Sequence, residues 1–122
     1  MIHVVWAATQ PTCSPSAYVG ATPARVYVVM ACNARVTEVR LSAPGLRGAT
    51  IRTSLPGRGR ACVGVGTVTC AAPLVAGRAF RVDARAGRPL HAGAPLRVVV
   101  TFADGERDAR RLTLLEPAAD DD

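Results

Sequence analysis

Short runs of apolar residues, many of them alternating with polar ones, fill most of the chain and are cut every 8–12 or so positions by Gly or Pro. In Arg25–Cys32, Val26, Val28 and Met30 fall on one side of an extended strand, and Tyr27, Val29 and Ala31 on the other. Side chains of a strand point alternately to its two faces, so this run buries one face and leaves the other half-covered. The same reading predicts strands near Arg25–Cys32, Val36–Ser42, Ala49–Ser54, Ala61–Val65, Thr67–Ala71, Ala79–Ala84, Leu96–Phe102 and Arg107–Leu115. Val36–Leu41 alternates more loosely than the others. Turn signals separate the runs at Ala43-Pro-Gly, Leu55-Pro-Gly, Gly64-Val-Gly, Ala76-Gly, Ala86-Gly-Arg-Pro and Ala103-Asp-Gly. Many short strands with that spacing indicate an all-β sandwich or barrel. No segment keeps a helical period over about ten residues without a Gly or Pro, so helix should be nearly absent.

Two hairpins stand out. Asp104-Gly105 separates two strand-like runs, and Asp-Gly is the strongest short hairpin signal. The second joins Cys62 to Cys70 about Gly66, which would set the two cysteines opposite one another on adjacent strands at a separation suited to a disulfide.

The four cysteines, Cys13, Cys32, Cys62 and Cys70, lack the close C-x2-C pairs or nearby His partners of metal sites. Disulfides fit better and imply an oxidising compartment. Three pairings are possible; sequence order favours Cys13–Cys32 and Cys62–Cys70. Closing those loops would stabilise by roughly 3 and 2.5 kcal/mol on the chain-entropy account. No apolar run is long enough to span a bilayer. The first residues lack the basic start and apolar length of a secretory leader. If the protein is secreted, its leader is expected to have been removed and Met1 supplied by expression.

With 122 residues there is room for one domain. Its apolar 49% is mainly Val, Ala and Leu, with only 4% aromatic. All fifteen basic residues are Arg, and the net charge is +6. That surface could meet a polyanion, but the Arg-for-Lys bias also follows from a GC-rich genome such as an actinobacterial one. Scattered aromatics argue against a base-stacking platform, and no specific nucleic-acid partner is expected. Charge divides the chain into an uncharged arm (1–24), a basic body (25–116) and an acidic tail (117–122). Arg25 to Arg111 holds all fifteen Arg and five acids.

Several short motifs follow one another along the chain: Val26-Tyr-Val-Val-Met-Ala-Cys-Asn33, Val36–Leu41, Pro44-Gly-Leu46, the Cys62 to Val68-Thr-Cys70 hairpin, and Leu74-Val-Ala-Gly77. Over about ninety residues this resembles the DUF11-type bacterial surface domains. Ala34 stands where that family usually continues Thr-Gly, the acid before Pro-Gly is missing, and Cys13/Cys32 are additional. The resemblance implies an immunoglobulin-like β-sandwich acting as an extracellular spacer, adhesion or assembly module, with no catalytic residues to carry over.

The candidate chemistry is sparse. His91 lies in a loop and His3 flanks an apolar run. Ser14, Ser16, Ser42 and Ser54 occupy no nucleophile elbow. Asp83, Asp104 and Asp108 are too few and too scattered to suggest an acid pair. Gly57-Arg-Gly-Arg60 follows no strand–helix transition, and Asp120–Asp122 reads as a solvated tail. We expect no enzyme, no cofactor and no metal.

The arm is the most informative segment. Val4, Val5, Trp6, Ala7 and Ala8 form an uncharged strand-like run with the only Trp. It could add as a strand to a partner's sheet or be the first strand of its own sandwich. The expectation is an immunoglobulin-like sandwich with two disulfides, serving as a secreted structural or adaptor module for a protein partner. The alternatives are a small-ligand carrier similar to the enediyne-binding apoproteins, or a virion decoration domain. Basic charge and few aromatics argue against the small-molecule ligand.

Overall fold

The computed structural model of the chain describes residues 10–20, 24–53, 60–74 and 78–116. Among them are nine strands: β1 (Ser16–Val19), β2 (Arg25–Ala31), β3 (Val36–Ser42), β4 (Leu46–Thr53), β5 (Arg60–Cys62), β6 (Thr67–Leu74), β7 (Ala79–Ala86), β8 (Pro95–Phe102) and β9 (Arg107–Thr113). They form two antiparallel sheets, ordered β1-β2-β7-β4-β5 and β6-β3-β8-β9. The arrangement is an immunoglobulin-like sandwich. Strands β1-β2-β7-β4 make its four-stranded sheet and β3-β8-β9 its three-stranded one. The disulfide-bonded β5–β6 segment adds one strand to each.

The core comes from the inward half of each alternation. Val26, Val28 and Met30 of β2 meet Val82 and Phe80 of β7 inside, against Leu96, Val98, Val100 and Phe102 of β8. The loose pattern of β3 has a structural cause. A register shift between Val36 and Glu38 resets the phase, so that Val36, Val39 and Leu41 are all buried although their spacing is three and then two. An extra residue at a β-bulge has this effect. A second shift, between Leu46 and Gly48, does the same in β4 and lets that strand begin at Leu46, earlier than its sequence pattern indicates.

One expectation needs correction and another extension. The uncharged arm, set apart from the body at residue 25, contains β1, which pairs with β2 from Ser16↔Val29 to Val19↔Val26. Its Ala17 is 1% exposed. The body therefore begins ahead of Arg25, and composition hid it because only four residues lie between the prolines and Gly20. The Cys62–Cys70 hairpin closes about Gly66 as expected, with Val63 opposite Thr69, but its two strands run on into different sheets. β5 pairs with β4 and β6 with β3, so the segment steps from one sheet to the other. The Asp104-Gly105 hairpin is as expected. Gly105 N donates to Phe102 O at 2.9 Å and Phe102 N to Glu106 O at 2.8 Å, with Gly105 at φ 91°, a conformation glycine adopts without steric cost.

Both sides of the sandwich are closed. On one, Val19 N donates to Leu115 O (2.8 Å) and Leu115 N to Ala17 O (2.9 Å), joining β1 to the chain leaving β9. On the other, Val63 and Thr69 exchange two backbone bonds of 2.9 and 2.7 Å beside the Cys62–Cys70 disulfide, whose Cα atoms are 4.4 Å apart. Such bridges shorten the unpaired edges through which sheets aggregate.

Candidate functional site

The root of the arm is fixed at several points. Cys13 is bonded to Cys32 with Cα atoms 4.0 Å apart, and both are buried. Ser14 N donates to Ala31 O and Asn33 N to Thr12 O, each at 3.0 Å. The Asn33 side chain accepts from Thr12 N (2.8 Å) and donates to Gln10 O (3.1 Å). From the other sheet, Asp108 of β9 accepts from Cys13 N at 2.9 Å and from the Thr12 hydroxyl at 3.1 Å. Arg110 completes the cluster by donating to both Asp108 oxygens and, at 2.9 Å, to Thr12 Oγ1. Burial works against the charged carboxylate of Asp108. The hydrogen bonds from Arg110, Cys13 N–H and Thr12, with the Arg110 charge, outweigh it and hold the group below its ordinary pKa. This Asp108 latch ties residues 12–13 to both sheets.

Val4, Val5, Trp6, Ala7 and Ala8 lie outside the described residues, as do His3, Ser54, Gly57, Arg58 and Asp120–Asp122. His91 is exposed in a loop, where its carbonyl accepts from Ala94 N at 3.0 Å. Asp83 pairs with Arg81 at 2.8 Å, and Asp104 caps its own turn through Glu106 N at 2.8 Å. Ser42 shares a 3.0 Å hydrogen bond with Thr67. The candidate serines, histidine and aspartates are thus spread over different turns and faces. Among the described residues, no three His, Cys, Asp or Glu side chains come close enough to hold a metal ion.

Three surface features escaped the sequence reading. On the outer face of the first sheet, Tyr18 and Tyr27 are direct cross-strand partners, stacked with centroids 5.2 Å apart. Arg81 lies over the Tyr27 ring at 4.1 Å, giving a cation–π contact. Only the register of β1 against β2 brings these rings together. At one end of the sandwich, the 63–66 loop exposes Val63 (70%) and Val65 (80%). It is pinned by hydrogen bonds from Ala43 N to Gly66 O (3.1 Å) and from Gly66 N to Leu46 O (2.7 Å).

The third feature is on the outer face of the second sheet. Arg97 of β8 and Arg111 of β9 are direct cross-strand partners. They line a groove with Ser42, Pro44, Pro95, Ala109 and Arg110.

No family model matches the chain, and no curated protein matches it. A solved structure does: a conjugate transposon protein from Bacteroides vulgatus, determined in solution by NMR. The likeness has a TM-score of 0.50 at 11% identity, over 90% of this chain and 87% of that one. At that identity it bears on the fold alone. Two disulfides in so small a domain indicate an oxidising, extracellular environment. No helix among the described residues is long and apolar enough to cross a membrane.

Proposed function

We propose that the protein is a non-catalytic structural or adaptor module, secreted or held at a cell surface, that binds a protein partner through its N-terminal segment. The observation that carries this reading is the fixed root of the arm. A segment that donates a strand must leave its own domain from a rigid point, so that little ordering entropy opposes docking. Gln10 to Ser14 provide such a point, held by Cys32, Asn33, Asp108 and Arg110. The uncharged run Val4–Ala8 precedes it by a single residue, Thr9.

The test is deletion of Ile2–Gln10. For a donor strand, the deletion abolishes capture of the partner from the native secretome and leaves the thermal midpoint nearly unchanged. A midpoint lowered by many degrees, with capture intact, would assign Val4–Ala8 to the domain's own core instead. Trp6 reports independently, because its emission should move to the blue only when partner is added.

A further inference from the structure

We infer that the groove across β8 and β9 is a carboxylate-binding site for an acidic, extended peptide segment of a protein partner. Successive rows across this sheet face are Thr67–Ser42–Arg97–Arg111, Thr69–Arg40–Val99–Ala109 and Ala71–Glu38–Thr101–Arg107. Among the described residues, these rows carry four arginines and a single acid. Glu38 is taken by Arg40 at 3.2 Å. Among the described residues, Arg97, Arg107 and Arg111 have no carboxylate partner.

Like charges directly opposite one another destabilise a sheet. Arg97 and Arg111 nevertheless face each other across β8 and β9, and the groove of roughly 370 Å³ lies at this pair. An oxyanion between the two guanidinium groups would turn that repulsion into two charge-assisted contacts, and a carboxylate matches the planar fork of each. Pro44, Pro95 and Ala109 supply short aliphatic walls, which suit the backbone and small side chains of an extended chain.

The same face favours a peptide over other polyanions. Among the described residues it carries no aromatic ring for nucleobases or sugars to stack on. The half-buried tyrosine pair belongs to the opposite sheet, where Arg81 covers Tyr27. The inference shares with the proposed function the premise of a protein partner, but it uses a different surface. Loss of groove binding with arm-dependent capture intact would refute it alone.

The test uses the full chain and a deca-glutamate peptide, with an oligothymidine of equal length for comparison, at physiological ionic strength. Amide chemical shifts should move on adding peptide at Ser42, Ala109 and Arg111. Reversing Arg97 and Arg111 to Glu should weaken peptide binding about tenfold or more. Arg25 and Arg85 are also direct cross-strand partners, on the other sheet's outer face, but do not line this groove; reversing them changes net charge equally and should weaken binding about threefold at most. Arg97→Gln provides a milder variant: it should raise the thermal midpoint by relieving the like-charge pair and still weaken the peptide. Equal losses from the two charge reversals would reduce the site to a general field and overturn the inference. Tighter binding of the oligothymidine than of the peptide would overturn it too, as would absence of shifts in the groove.

Discussion

Replacing Asp108 with Ala should destabilise the domain by about 2 kcal/mol, because one carboxylate organises contacts from two sheets. Its side chain is 14% exposed and accepts from Cys13 N, Thr12 Oγ1 and two nitrogens of Arg110. A hydrogen bond to a charged group contributes roughly 1.5–3 kcal/mol when partly buried, and leaving a buried donor unpaired costs about 1–3. Cys13 is 3% exposed, so its N–H loses a partner that water replaces poorly. Arg110, at 42% exposure, is solvated and screened, and its ion pair adds about 0–1 kcal/mol. The Cys13 contact therefore dominates. About 2 kcal/mol in a domain of this size lowers the thermal midpoint by roughly 6–10 °C.

The dependence on pH provides a second constraint. The carboxyl of Asp108 is held below its ordinary value, so its stabilisation is complete above the unfolded value near about 3.9 and is lost as pH falls through the folded one. The gap in midpoint between wild type and Asp108→Ala should be constant from neutral pH to about 5, and should shrink as the medium becomes more acid. Asp108→Asn keeps one acceptor oxygen but no charge, and should lie between the two at neutral pH. Circular dichroism melts of the three proteins at a series of pH values provide the measurement. A gap that persists unchanged to pH of about 2, or an alanine variant melting with wild type, would refute the latch.

Removing Cys62–Cys70 by paired Ala substitution should cost about 2.5 kcal/mol and removing Cys13–Cys32 about 3 kcal/mol, read from guanidinium denaturation; indistinguishable wild-type and variant curves would contradict the closure argument. Gly64 has φ 122°, and a Cβ there would collide with the Thr67 carbonyl oxygen, so Gly64→Ala should destabilise by about 1–3 kcal/mol in the same titration. Phe102→Ala, at 2% exposure, should cost about 3–5 kcal/mol, whereas Val65→Ser, at 80% exposure, should leave the unfolding free energy within about 0.5 kcal/mol of wild type.

What the sequence made legible was whatever depends on period and punctuation. Alternation at Val26, Val28 and Met30 marks an inward face, Asp104-Gly105 marks a turn, and the order of four cysteines favours, among three pairings, the one observed. Each is local, or nearly so. β1 stayed hidden because its pairing energy comes from β2 and Leu115 rather than from its own four residues. Short strands are held by partners, and their own composition carries little of that signal.

The surface features were hidden for a related reason. Tyr18 meets Tyr27 only because β1 folds back on β2 with Ala17 against Val28. Arg97 meets Arg111 only because the hairpin at Asp104-Gly105 has a three-residue loop. Lengthening that loop by one residue would shift the register, and a shift of one turns every side chain of a strand to the other face. Arg111 would then point inward and Arg110 outward, and Asp108 would no longer be aimed at Cys13. The same turn therefore sets both the latch that roots the arm and the arginine pair of the groove. The two surfaces proposed for partner contact are coupled through β9: Asp108 faces one side of the strand and Arg111 the other, three residues along. A variant with one residue inserted between Ala103 and Gly105 should lose the acid-sensitive stability of the latch and the peptide-induced shifts of the groove together. Loss of one with retention of the other would show that register in β9 is not their common cause.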